Sequence, residues 1–336
     1  MRGEIIMSEQ FDLFSMLDKA QEADAQKQKE RDEKERNERQ EKIAKQKAIA
    51  EQKSAEVAEK KETNNKESNN KSDSSKKEPA AKVEPFAPNE ATIIRYFGES
   101  IEITEYFSSE ELAEGLLIHK KDEEPTRAPL TAELLRQRME KVFPELVKDY
   151  TEMIFLAKKN LVIPTMKAKK KGNCRVLPSG DTFPLPKIPY KILSNFISVA
   201  KLYGEHELEV HADIYYQKHT KSFILDFPQQ NINRYNVEVT ESSRELAERF
   251  IDATKILEIH SHHLFAVAPS KQDNESERIP GMHYAIVGRI NKYFPDLYIR
   301  QFISESIGHK EKHMDDIFEN PFLELPNYED SKIEVI

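Results

Sequence analysis

The chain has 336 residues, of which 38% are hydrophobic and 33% charged, with nine glycines and no tryptophan. That is too polar for one compact body of this length, so part of the chain is expected to lie outside any core. A single cysteine excludes an internal disulfide and a cysteine-rich zinc knuckle, and leaves a reduced, cytoplasmic compartment as the expectation. The net charge of −9 argues against a dominant nucleic-acid surface, and the basic run "KAKKK" at 167–171 alone supports a DNA-associated reading. No apolar run approaches the roughly 18–20 residues of a membrane span, and "MRGEIIMSEQFDLF" lacks the apolar core of a signal peptide.

Residues 1–17 hold a short apolar cluster around Phe11, Leu13, Phe14, Met16 and Leu17, either a docking segment or a disordered end, and Met7 offers a second start. Residues 18–62 are strong helix formers with opposite charges three or four apart and no sustained a/d stripe. This predicts a charged helix or weak coiled coil, with a protein partner as its possible use. Residues 63–88 are polar, low in complexity and proline-tailed, a linker that buries too little to offset chain entropy.

From residue 89 to 170 the pattern is that of a small folded unit. "ATIIRYF" and "IEITEYF" around "GES" predict a β-hairpin. Residues 130–146 predict a helix capped by Thr131, and "TEMIFLAKKNLVIPTM" predicts two more strands around "KKN". Hairpin, helix, hairpin resembles the β-grasp order of ubiquitin-like domains. "VIPTMKAKKKGNC" then suggests a flexible tail with Gly172, or simply an interdomain linker.

A second folded unit is expected over 175–310, with 311–336 as a tail. "YKILSNFISVAKLYG" reads as a helix ending at Gly204, and "ELEVHADIYYQ", "KSFILDF" and "YNVEVT" as strands. "SSRELAERFIDATK" reads as a serine-capped helix, followed by strands at "ILEIH", "GMHYAIVGRI" and "LYIRQFI". The expected class is α/β (α+β), with one mixed sheet flanked by helices.

Three histidines crowd the end of one predicted strand in "EIHSHHLFAVAPSKQD". Residues i and i+2 of an extended chain project to one side, so His260 and His262 can aim at one point while His263 points elsewhere. Two imidazoles and an oxygen from Asp273 are a donor set for a catalytic zinc with an open position.

From His260 the chain reads H-x-H, seven residues, Ser270, two residues, Asp273, a pattern expected by chance about once in a thousand chains of this length. It resembles the JAMM (JAB/MPN) metallopeptidase family over residues 186–305. The resemblance implies that His260, His262 and Asp273 hold Zn²⁺, that Ser270 lies beside the reaction centre, and that an upstream glutamate acts as general base. "GEHELEVHADIYY" offers Glu205, Glu207 and Glu209. "EVHADI" resembles the family's glutamate strand best with Glu209 as the acid, with Glu207 the alternative on the same strand face. His263 stands where the family often has proline, and Asp213 interrupts a strand usually apolar.

The activity implied is zinc-dependent hydrolysis of peptide or isopeptide bonds through a metal-activated water. The expected substrate is the tail of a ubiquitin-like, β-grasp protein, supplied in cis or in trans. A non-catalytic scaffold or assembly factor of the same fold is the alternative.

Overall fold

The computed structural model describes residues 26–53, 85–96, 98–118, 124–148, 150–166, 186–304 and 306–323. The apolar segment at 1–17, most of the linker, the Gly172 tail and the chain after 323 lie outside the described residues. The chain divides into two compact units, residues 1–75 and 76–336. No described helix is long and apolar enough to cross a membrane.

In the first unit, helix α1 covers residues 26–53 and is polar nearly all round. Pairs one turn apart reinforce it: Gln28 donates to Asp32 at 2.9 Å, Lys45 lies 3.5 Å from Glu41, and Arg39 pairs with Glu35. Such exposed pairs stabilise a helix by about 0.2–0.5 kcal/mol each, so propensity and charge spacing together account for it.

The second unit holds two principal sheets. In the first, β1 (Ile93–Tyr96) pairs antiparallel with β2 (Glu99–Glu102), and β5 (Thr151–Leu156) with β6 (Leu161–Met166). β1 and β6 run parallel at the centre, in the order β2-β1-β6-β5. The second hairpin turns through Asn160, a residue type tolerant of its left-handed φ of 50°. Helix α3 (Ala132–Glu140), capped by Thr131, places Leu135 and Met139 against Ile94, Phe155 and Val162. The helix stops at Glu140 rather than running to Leu146. Phe143 precedes Pro144, and a residue before proline is pushed out of the helical region.

Helix α2 (Ser109–Glu114) and the short hairpin of β3 (Leu116–Ile118) with β4 (Thr126–Ala128) intervene, neither expected from the sequence. The outer face of the sheet is also covered. Ile154, Leu156, Leu161 and Ile163 pack with Ala247 and Ile251.

The larger sheet has six strands in the order β14-β13-β12-β11-β7-β8. These are β7 (His211–Gln217), β8 (Ser222–Asp226), β11 (Thr254–Ser261), β12 (His283–Gly288), β13 (Asp296–Ser304) and β14 (Gly308–Lys312). β11 and β12 are parallel and the other pairs antiparallel. A small hairpin, β9 (Gln230–Ile232) with β10 (Val237–Val239), and helix α5 (Ser243–Arg249), capped by Ser242, follow β8.

Helix α4 (Tyr190–Gly204) covers one face, packing Leu193, Phe196 and Ala200 on Ala212, Ile214, Leu257, Ile259, Ala285 and Val287. The face under α4 is therefore apolar at its centre. The opposite face is polar at its centre: Glu258 stands opposite Asp213 and Tyr284, His260 opposite His211, and Tyr284 opposite Arg300, and paired residues share a face.

The folded unit does not end at 310. β14 runs to Lys312, helix α7 (Met314–Ile317) follows, and Phe318 bridges Ile188 and is 1% exposed in the core. "GHKEK" carries no apolar signal because it is an edge strand, where charge is favoured.

Candidate metal centre

His260 lies one residue before the end of β11 and His262 one residue after it. Between them, buried Ser261 locks the start of β7: its N–H donates to the Val210 carbonyl at 2.9 Å, and its hydroxyl accepts from the Val210 N–H at 3.0 Å. The His262 N–H donates to the Val287 carbonyl at 2.8 Å, tying the turn to β12. The two imidazoles project to one side, as an extended i, i+2 pair must.

Ser270 and Asp273 open helix α6 (Lys271–Ser276) as a capping box. The Asp273 N–H donates to the Ser270 hydroxyl at 3.1 Å, and the Ser270 N–H donates to Asp273 Oδ2 at 2.6 Å. The spacing between serine and aspartate is thus a helix-start geometry, and it turns the carboxylate towards the histidines. Asp273 Oδ1 lies 3.5 Å from His260 Nε2, and Oδ2 lies 3.5 Å from His262 Nε2.

The two Nε2 atoms face each other at 3.1 Å. The outer nitrogen of each ring meets an acceptor: His262 Nδ1 lies 3.1 Å from the Ala266 carbonyl oxygen, and His260 Nδ1 lies 3.4 Å from Glu277 Oε1. A proton on each Nδ1 leaves two imidazole lone pairs and a carboxylate converging on one point, a donor set that a bound cation would satisfy. The ligand atoms all lie within 4.8 Å of one another. Zinc bound at about 2.0–2.1 Å holds tetrahedral ligands roughly 3.3 Å apart, so the residues fit such an ion.

Electrostatics follow from burial. Desolvation drives the His260 pKa down to about 3, with the cationic neighbours His262, His211 and Arg300 adding to the effect against Asp273, so the ring is neutral. Burial also works to lower His262, but the Asp273 carboxylate and the Ala266 carbonyl outweigh it and raise the ring above its ordinary value. Asp273 sits well below the usual carboxylate range. Burial opposes ionisation, but His262, His260 and the Ser270 groups outweigh it.

Glu209 is 7% exposed and lies just ahead of β7, its N–H donating to the Asn233 carbonyl at 3.1 Å. Burial pushes its carboxyl up to about 7, with His262 pulling down and Asp273 pushing further up. It therefore feels both candidate ligands and is poised to exchange a proton near neutrality. Glu207 does not share a strand face with it. The strand begins only at His211, and Glu207 has a left-handed φ of 57° with its carboxylate 3.3 Å from Arg234. Glu205 is exposed at the end of α4. His263 turns away, with φ 31° and Nε2 3.0 Å from the Arg234 carbonyl.

Glu277 and Arg300, both buried, are the participants that the sequence reading missed. Arg300 donates to Glu277 Oε2 from Nε at 2.8 Å and from Nη2 at 2.6 Å, and from Nη1 to Asn274 Oδ1 at 2.5 Å. Burial pushes the Glu277 carboxyl up to about 7 against the pull of Arg300. Glu277 stands four residues after Asp273, the spacing that puts two side chains on one helical face, and this is the signal by which it was findable.

No family model matches this chain, and no curated protein sequence matches it. Among solved structures, the chain is similar to the solution structure of protein DSY2949 from Desulfitobacterium hafniense. That likeness has 14% identity over 38% of this chain and 88% of the other, with a TM-score of 0.27. A likeness that slight says nothing about the chemistry of the centre.

Proposed function

We propose that this chain is a zinc-dependent hydrolase of JAMM type that cleaves peptide or isopeptide bonds at the tails of ubiquitin-like proteins. The observation that carries the proposal is the convergence of two imidazole Nε2 atoms at 3.1 Å with the Asp273 carboxylate beside both, and buried Glu209 responding to the charge of His262 and Asp273. Two imidazoles and a carboxylate with a fourth position open are the donor set of catalytic rather than structural zinc.

Zinc bound by His260, His262 and Asp273 would supply Lewis acidity and lower the pKa of water from about 15.7 towards about 7. Glu209, half ionised near pH 7, takes a proton from the attacking water and returns it to the leaving amine. Ser270 uses an oxygen lone pair to accept from the Asp273 N–H, so its own O–H stays available to donate to a developing oxyanion. Support for the substrate class comes from residues 89–166, where a sheet ordered β2-β1-β6-β5 with a central parallel pair carries α3 on one face, an order similar to that of a β-grasp module interrupted by α2 and the β3–β4 hairpin.

The test is metal analysis of the full-length protein, followed by assay against ubiquitin-like fusions with and without chelator. About one zinc per chain, lost in His262→Ala, with chelator-sensitive cleavage, is the expected result. Absence of stoichiometric zinc overturns the proposal. Bound zinc with no cleavage of any fusion leaves the metal and removes the substrate class.

A further inference from the structure

The buried Glu277–Arg300 pair ties the end of the α6 segment to β13. It sits on the polar face of the sheet at the outer edge of His260, and an ion pair placed there costs more desolvation than an apolar pair of the same volume. Each of its atoms has a defined partner. The Arg300 fork takes Glu277 Oε2 from two nitrogens, its third nitrogen takes Asn274 within α6, and His309 Nε2 lies 2.6 Å from the Glu277 carbonyl oxygen. The one carboxylate oxygen left over, Oε1, faces His260 Nδ1 at 3.4 Å.

We propose that Glu277 is a positioning residue for the metal centre: held by Arg300, it keeps the His260 proton on Nδ1 so that Nε2 stays a lone-pair donor beside His262 and Asp273. The role rests on the zinc reading for its consequence, but the tautomer itself is a property of the metal-free chain. His262 is fixed in the same sense by the Ala266 carbonyl, which accepts and never donates. The two histidines are therefore set by different means, one by backbone and one by a side chain that substitution can change. Partners of this kind orient ligating histidines and commonly contribute 10–100-fold to metal affinity.

Glu277→Gln separates positioning from packing because it is nearly isosteric. Arg300 carries only donors, so it claims the amide oxygen and turns the amide NH₂ towards His260 Nδ1. That nitrogen must then accept, and its proton moves to Nε2, where it blocks the metal.

The experiment uses the full chain in two arms. Imidazole ¹⁵N chemical shifts of the metal-free wild type, assigned with His260→Gln, should show His260 with Nδ1 protonated and Nε2 bare, and Glu277→Gln should reverse the pattern. Competition with a chromophoric chelator for zinc alone should give a 10–100-fold weaker affinity in Glu277→Gln, with an unchanged circular dichroism spectrum. A wild type with the His260 proton on Nε2 overturns the proposal without any variant, so a Glu277→Gln chain that fails to fold does not shelter it. A folded Glu277→Gln that keeps zinc affinity within twofold also overturns it. A wild type with Nδ1 protonated that takes up no zinc supports the positioning and sinks the hydrolase reading instead.

Discussion

Ser261 and Val210 exchange two hydrogen bonds, at 2.9 and 3.0 Å, across the point where β7 meets the end of β11. Glu209 precedes Val210, and the two histidines of the candidate centre flank Ser261, so this exchange sets the acid against them. Ser261→Ala strands the buried Val210 N–H, at a cost of about 1–3 kcal/mol. The expected result in urea unfolding is a lower midpoint with an unchanged slope, together with slower hydrolysis at unchanged zinc content. Wild-type stability in that variant removes the assigned role of the Ser261 hydroxyl.

The capping role that Ser270 has and the oxyanion role proposed for it are separable by substitution. As the cap of α6 its hydroxyl accepts from Asp273, and loss of such a cap to alanine costs about 0.5–2 kcal/mol, while glycine costs only a few tenths. As a hydrogen-bond donor to an oxyanion, the same hydroxyl is worth about 10²–10³ in kcat. Ser270→Gly is therefore expected to melt near the wild type, bind zinc, and turn over substrate 10²–10³-fold more slowly. A Ser270→Gly enzyme as fast as the wild type reduces Ser270 to its structural duty.

The candidate ligand set was legible because it is local: one extended i, i+2 pair and one helix-start box lie within fourteen residues, and each has a short-range geometric rule. The larger mixed sheet and most strands were legible from alternation for the same reason. Arg300 was not, because its partner Glu277 lies two strands earlier and nothing in "LYIRQFI" distinguishes a buried arginine from an exposed one. Glu207 was misplaced because a left-handed residue breaks the alternation that a strand reading assumes. β14 and Phe318 were missed because a charged edge strand and a lone aromatic after it have no period to detect.

Gly288 closes β12 where the loop after His262 crosses it. A Cβ there would stand 2.5 Å from the Phe265 carbonyl oxygen and 3.0 Å from the Ala266 carbonyl carbon, too close for backbone to remain in place. Gly288→Ala must push that loop outward, and with it the Ala266 carbonyl that orients His262. Overpacking of this kind costs about 1–3 kcal/mol. Zinc competition and thermal unfolding should both show the loss. An alanine variant with intact zinc affinity means that His262 is held without Ala266.

Glu209 gives the metal-free protein a pH dependence whose sign is fixed. Its carboxyl ionises near 4.5 when unfolded and near 7 when folded, so the folded chain holds the proton that the unfolded chain has already lost between those values. The stability linked to this group is complete below about pH 4.5 and declines as the pH rises towards about 7. Above that, the buried carboxylate is a constant penalty. Asp273 and His260, both shifted downward, act in the opposite direction as the pH falls, which obscures the trend in the wild type alone. The difference between Glu209→Gln and wild type isolates it. In excess chelator, Glu209→Gln should be the more stable chain at pH 8, by an amount on the order of 2–3 kcal/mol, and the gap should close by about pH 4.5. With zinc added, the same variant should keep the metal and lose hydrolysis, because the role proposed for Glu209 is on water rather than on the ion. Equal stability of the two chains across this range would mean that Glu209 is solvated, and would leave the centre without its proposed base.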